Sequence, residues 1–182
     1  MPLSSTMAQG SKEYCANDII LGCLETLQQG RQFLTSIDDE QYCYVAAPHV
    51  ASSIGGHFRH LLDVFEAVYK NQQCIDYNLR RRGHGIETSK VAALTAINQL
   101  ISWLQLLEND VLTMQTRVIT EVCLSKTQHG EMGSTVGREL TFAALHATHH
   151  FAMANVIVSL LNGRVSDQFG YAPSTVSYLR DQ

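Results

Sequence analysis

No stretch of this 182-residue chain approaches the ~18 uninterrupted apolar residues of a membrane-crossing helix, so no transmembrane span is expected. Basic charge is not in excess either: 13 Lys and Arg stand against 17 Asp and Glu, for a net charge of -4. The lone basic cluster, Arg80-Arg81-Arg82, is too short to form a phosphate-binding surface, which argues against nucleic acid as a partner. The cysteines at 15, 23, 43, 74 and 123 are odd in number and form no Cys-x-x-Cys pair. The first residues lack the apolar core of a secretory signal, and with this cysteine pattern they point to a soluble protein of the reducing cytoplasm. Internal repeats and low-complexity tracts are absent, so neither a solenoid nor a disordered chain is expected.

What is present is enough apolar material, 45% of residues, to bury the core of one domain. Residues 1–14 are rich in Ser, Gly and polar groups without periodicity and read as a flexible arm. Residues 15–165 form the expected domain, and 166–182, with Phe169, Tyr171 and Tyr178, read as an extension packed on it. Within the domain, Ile20, Cys23, Leu24, Leu27, Arg31 and Leu34 recur at helical spacing after Asn17. A connection from Asp38 to His49 leads to a second helix that Ser52 or Ser53 can cap, with Ile54, His57, Leu61, Val64, Phe65 and Val68 along one face. After a polar loop, a third helix spans roughly Lys90 to Glu108, its stripe made by Val91, Leu94, Ile97, Ile101, Leu104 and Leu107. Between Val111 and Leu124 the β-branched Thr113, Thr116, Val118, Ile119, Thr120 and Val122 suit a short β-hairpin or extended segment, followed by a turn-rich loop from Lys126 to Gly133. Ser134 or Thr135 can cap a fourth long helix that runs to about Asn162, with Gly163 as its stop. Four amphipathic helices in one small domain pack most simply as an all-α four-helix bundle.

The chemistry concentrates in histidine. Of eight histidines, five sit on two of these helices: His57 and His60 on the second, His146, His149 and His150 on the fourth. His146 and His150, four apart, project side by side from one turn to the next. Leu140, Ala143, Ala147, Ala154 and Ile157 turn that side of the helix toward the interior, where His57 or His60 can supply a third imidazole. Three imidazoles plus water suit catalytic zinc, and imidazole also suits nickel, iron and copper. A carboxylate-bridged di-iron site is disfavoured, because the chain has no Glu-x-x-His pair. The competing reading is a set of core histidines, each satisfied by a hydrogen bond.

The segment Ser53-Ile54-Gly55-Gly56-His57-Phe58-Arg59-His60-Leu61-Leu62-Asp63, together with His146-Ala147-Thr148-His149-His150, resembles the helix-two motif and the doubled-histidine pair of the DinB-like superfamily of metal-binding four-helix bundles. The resemblance runs from about Asn17 to Asn162 and departs where the family often has Arg-Gly-Gln and this chain has Phe151-Ala152-Met153. It implies a DinB-type bundle and places the metal ligands on His60, His146 and His150, with His149 pointing elsewhere. It further implies a single divalent ion, zinc or nickel first and iron or manganese next, a small-molecule substrate such as a low-molecular-weight thiol, and a homodimer.

On that footing the expected function is a metal-dependent enzyme of the thiol-transferase or hydrolase type. His57 is the candidate proton shuttle, and Asp63 or Glu66 the candidate that orients an imidazole. Arg80, Arg81 and Arg82 are candidates for an anion-binding lip, and Tyr77 and Trp103 for pocket walls. Two other classes compete: a non-catalytic, metal-stabilised binding or stress-response module, and a metal-free helical interaction domain. Elemental analysis separates the last from the others.

Overall fold

The structure is a computed structural model that describes the backbone of residues 10–182 and the side chains from Asp18 onward. The expected arm therefore falls mostly outside the described residues, and the first helix, α1 (Gly10–Ser36), begins inside its last few positions. Next come a short helix α2 (Asp39–Cys43), the long helix α3 (Ile54–Lys70) and strand β1 (Cys74–Asp76). The long helix α4 (Lys90–Gln105) is followed by strands β2 (Gln115–Glu121) and β3 (His129–Thr135), the long helix α5 (Val136–Leu160) and the C-terminal α6 (Pro173–Arg180).

Three of the four long helices start at local side-chain caps. Ser53 caps α3 by accepting from the Gly56 N–H, Ser89 caps α4 through Ala92, and Thr135 caps α5 through Arg138. At the far end of α5 the left-handed position is taken by Asn162 (φ 57°), and the Gly163 N–H returns to the Val158 carbonyl at 2.9 Å. Each helix buries one stripe: Ile20, Cys23, Leu27 and Leu34 on α1; Phe58, Leu61, Leu62, Phe65 and Val68 on α3; Leu140, Ala143, Ala147, Phe151, Ala154 and Ile157 on α5. On α4 the stripe is rotated from the sequence reading. Ala93, Ile97, Leu100, Ile101 and Leu104 are buried, while Val91 is exposed.

In cyclic order α1, α4, α3 and α5 each pack on two neighbours, and the core lies between them. Gly55 permits the closest approach. A Cβ there would overlap the Glu87 carbonyl oxygen and come within 2.8 Å of the Tyr42 ring, so a glycine is needed where α3 meets the turn before α4. Phe169 is buried and stacks on Phe33 and Phe151, with ring centroids 4.2 and 5.0 Å away, which fastens the segment before α6.

The fold is mostly helical but not all-α. A three-stranded sheet in the order β1-β2-β3 corrects that reading: β2 and β3 form an antiparallel hairpin, and β1 adds in parallel through Cys74, Ile75 and Asp76 opposite Arg117, Val118 and Ile119. β2 alternates over its first half, with Thr116 and Val118 buried and Gln115 and Arg117 exposed. β3 occupies half of what reads as a loop, because His-Gly-Glu-Met-Gly-Ser-Thr has no apolar alternation and is held by its backbone ladder to β2. β1 offers only Ile75 as an apolar signal and exists through its partner strand. Among the described residues, no helix is long and apolar enough to cross a membrane.

Candidate metal centre

The pairing of α3 with α5 brings three imidazoles together at the edge of the core. The rings of His60, His146 and His150 have centroids 4.6 to 5.0 Å apart and stand nearly perpendicular to one another. Nε2 of His146 lies 3.0 Å from Nε2 of His60 and 3.0 Å from Nε2 of His150. One ligand atom from each of the three residues lies within 4.8 Å of the others, so the set can hold a metal ion. All three are partly buried, flanking the apolar stripes rather than standing within them.

Hydrogen bonds alone serve this arrangement poorly. A ring nitrogen has a single in-plane direction, carrying either a hydrogen or a lone pair, so Nε2 of His146 can satisfy one neighbour but not both. A cation satisfies all three lone pairs at once. Ligand bonds of ~2.0–2.1 Å would separate adjacent nitrogens by ~2.9 Å at right angles and ~3.3 Å at the tetrahedral angle, so the observed spacing suits an ion with little adjustment.

The electrostatics favour neutral, ligand-ready rings. Burial, then the neighbouring His146 and the charges of Arg80 and Arg59, push His60 down to about 4. Burial and then His146, His60, His57 and His149 push His150 down to about 3. Burial also lowers His146 and His57, in both cases helped by His149.

His57 faces the other side of His150. Its Nδ1 is 2.9 Å from Nδ1 of His150, and its own Nε2 is buried without a hydrogen-bond partner. His57 is thus beside the cluster but not one of the three converging nitrogens. His149 is exposed, with its ring 5.2 Å from that of His150.

Asp63, expected to orient an imidazole, hydrogen-bonds two arginines in this structure. Its carboxylate, 4% exposed, accepts from Arg59 Nη1 at 3.1 Å, from Arg81 Nε at 2.6 Å and from the Arg81 backbone N–H at 3.1 Å. Two guanidiniums have outcompeted the ring because each offers a charged donor. Arg59 also reaches Glu87 at 2.8 Å, and Arg81 also pairs with Glu66. Glu66 is accordingly spent on Arg81 and Lys70. Of the three expected lip arginines, Arg81 is thus turned inward as a clamp, while Arg80 and Arg82 are exposed.

A cleft of about 500 Å³ continues along the α3 face beyond His60, lined by Asp63, Ala67, Lys70, Leu79, Arg80 and Ile119 among others. No histidine lines this cleft, although the charges of Arg80 and Asp63 in its wall both act on the His60 ring. Tyr77 donates its hydroxyl to buried Glu139 at 2.7 Å and packs on Phe142, which in turn stacks on His146 at 5.6 Å. Burial and the Glu139 carboxylate raise the Tyr77 hydroxyl well above its ordinary value. Trp103 lies against Tyr69 on the α4 side, apart from this group. The sequence reading missed Arg59 and Glu139. Arg59 had a legible signal in its i, i+4 spacing to Asp63, whereas Glu139 acquires its partners Tyr77 and Ser134 only through the fold.

No family model matches the chain, and no solved structure does. Among curated proteins the chain is similar to FK506-binding protein 5 of Rhizopus delemar, at 28% identity over 110 residues. That stretch makes up 59% of this chain but only 28% of the relative, so the chain spans little more than a quarter of that protein's length.

Proposed function

We propose that the chain binds one divalent metal ion through Nε2 of His60, His146 and His150 and acts as a metal-dependent enzyme on a small molecule. The observation that carries this reading is the double contact of His146 Nε2, 3.0 Å from each of two other ring nitrogens, which a cation satisfies and hydrogens do not. Three imidazoles leave zinc a further position for substrate or water, and such an ion supplies Lewis acidity at neutral pH. Zinc or nickel fits the all-nitrogen donor set best, with iron or manganese next.

The surrounding residues give the reaction class some shape. Phe142 walls one side of His146, and Arg80, whose charge acts on His60, is an exposed cation suited to the carboxylate of a substrate such as a low-molecular-weight thiol. Thiol transfer and hydrolysis are the two chemistries that fit. Membership of the DinB-like superfamily, a cytoplasmic setting and a homodimer belong to the same proposal, supported by the segments 53–63 and 146–150 and by the cysteine pattern.

The test is elemental analysis of the purified chain after dialysis against a weak chelator. One equivalent of metal is expected for the unaltered protein and for His149→Ala, and little for His146→Ala or His150→Ala. Equal metal in all four, or none in the unaltered chain, refutes the reading.

A further inference from the structure

His150 has a second ring nitrogen, and it is engaged. Nδ1 of His150 lies 2.9 Å from Nδ1 of His57, with the two rings tilted by 43°. In their neutral forms two such nitrogens share a single hydrogen. Its location governs the opposite end of His150, because a neutral imidazole carries only one N–H. A hydrogen on Nδ1 leaves the Nε2 lone pair that a cation needs, while a hydrogen on Nε2 blocks it.

We propose, resting on the metal reading above, that His57 is a positioning residue of the centre: its Nδ1 accepts the Nδ1–H of His150 and holds Nε2 of His150 toward the ion. Metal-bound imidazoles ordinarily give their outer N–H to a carboxylate, a carbonyl or water. Here Asp63, the carboxylate that α3 carries near the cluster, is committed to Arg59 and Arg81, and the imidazole of His57 faces His150 instead. Among the described residues, neither His60 nor His146 has a corresponding partner for Nδ1, so His57 acts on one ligand of the three.

The remaining nitrogen of His57 shows that the arrangement depends on the ion. When His150 donates through Nδ1, His57 carries its own hydrogen on Nε2, a buried donor without a partner. In the reverse arrangement, Nδ1–H of His57 donates to His150, and the Nε2–H of His150 is free to bond Nε2 of His146. The reverse leaves His57 with an unpaired acceptor in place of an unpaired buried donor and gains the bond to His146, so it is favoured without an ion. Metal ligation offsets the buried N–H and selects the first arrangement.

The experiment is a zinc titration of the full chain against a competing chelator, for the unaltered protein, His57→Leu and His57→Asn, with long-range 1H–15N spectra of the zinc-loaded unaltered protein. Leucine removes the acceptor and asparagine keeps an oxygen near the place of Nδ1. Zinc affinity is expected to fall ~10–100-fold in His57→Leu and to stay within about threefold in His57→Asn. The spectra should show His150 with hydrogen on Nδ1 and zinc on Nε2, a readout that no variant's stability affects. Unchanged zinc affinity in His57→Leu, equal losses in both variants, or hydrogen on Nε2 of zinc-loaded His150 overturns this inference and leaves the metal reading standing. No zinc binding by the unaltered chain overturns both.

Discussion

Replacing Asp63 separates a structural clamp from a role at the metal. The carboxylate is 4% exposed and bridges Arg59, 13% exposed, to Arg81, 27% exposed, while also holding the Arg81 backbone N–H. Asp63→Ala leaves both guanidiniums facing a space without a counter-charge, and removing one partner of a buried pair typically costs about 3–5 kcal/mol. Arg59 keeps Glu87 and Arg81 keeps Glu66, so the expected loss is smaller, about 2–3 kcal/mol. For a chain of this size that corresponds to a drop in melting temperature of roughly 4–12 °C. Urea denaturation of the metal-free protein measures the loss directly, and zinc titration of Asp63→Asn measures the other role. No imidazole is among the hydrogen-bond partners of Asp63, so zinc affinity in Asp63→Asn should change by less than about threefold. A stability loss below about 1 kcal/mol in Asp63→Ala would refute the clamp, and a tenfold loss of zinc affinity at unchanged stability would restore Asp63 to the metal.

Two further outcomes follow from the same geometry. In the metal-free protein the imidazoles of His60 and His150, at about 4 and about 3, lie below the unfolded histidine value, so the unfolded chain takes up protons first as pH falls. Their contribution is complete above about pH 6.5 and is lost progressively toward the two folded values; urea midpoints that stay constant between pH 6.5 and 4.5 would contradict this. The glycines of α1 and α3 should respond in opposite directions to alanine. Gly55→Ala forces α3 off the Glu87 backbone and should cost about 3 kcal/mol, whereas Gly22, with open space around it on α1, should gain about 0.5–1 kcal/mol. Similar effects at both sites, read from urea denaturation, would mean that the turn at Glu87 yields easily.

Much of this arrangement is legible from neighbours along the chain. The caps at Ser53 and Thr135, the four long helices and the His146–His150 pair depend on contacts three or four residues apart, which spacing alone reveals. The hairpin after α4 is half legible, since β2 alternates and β3 does not. Other features need partners distant in sequence. β1 forms because β2 passes beside Ile75, and the stripe of α4 is set by which neighbours close over Ala93 and Leu100 rather than by Val91.

The site divides along the same line. The sequence determined which residue types are available and that two helices each offer inward-leaning imidazoles, because helical periodicity is a local property. Only the tertiary structure decided that Nε2 of His60 meets those of His146 and His150, that His57 backs His150, and that Asp63 goes to two arginines. Those pairings depend on how α3 is rotated against α5 and on where the 77–82 loop lies, and hydrophobic spacing within a helix carries no information about either.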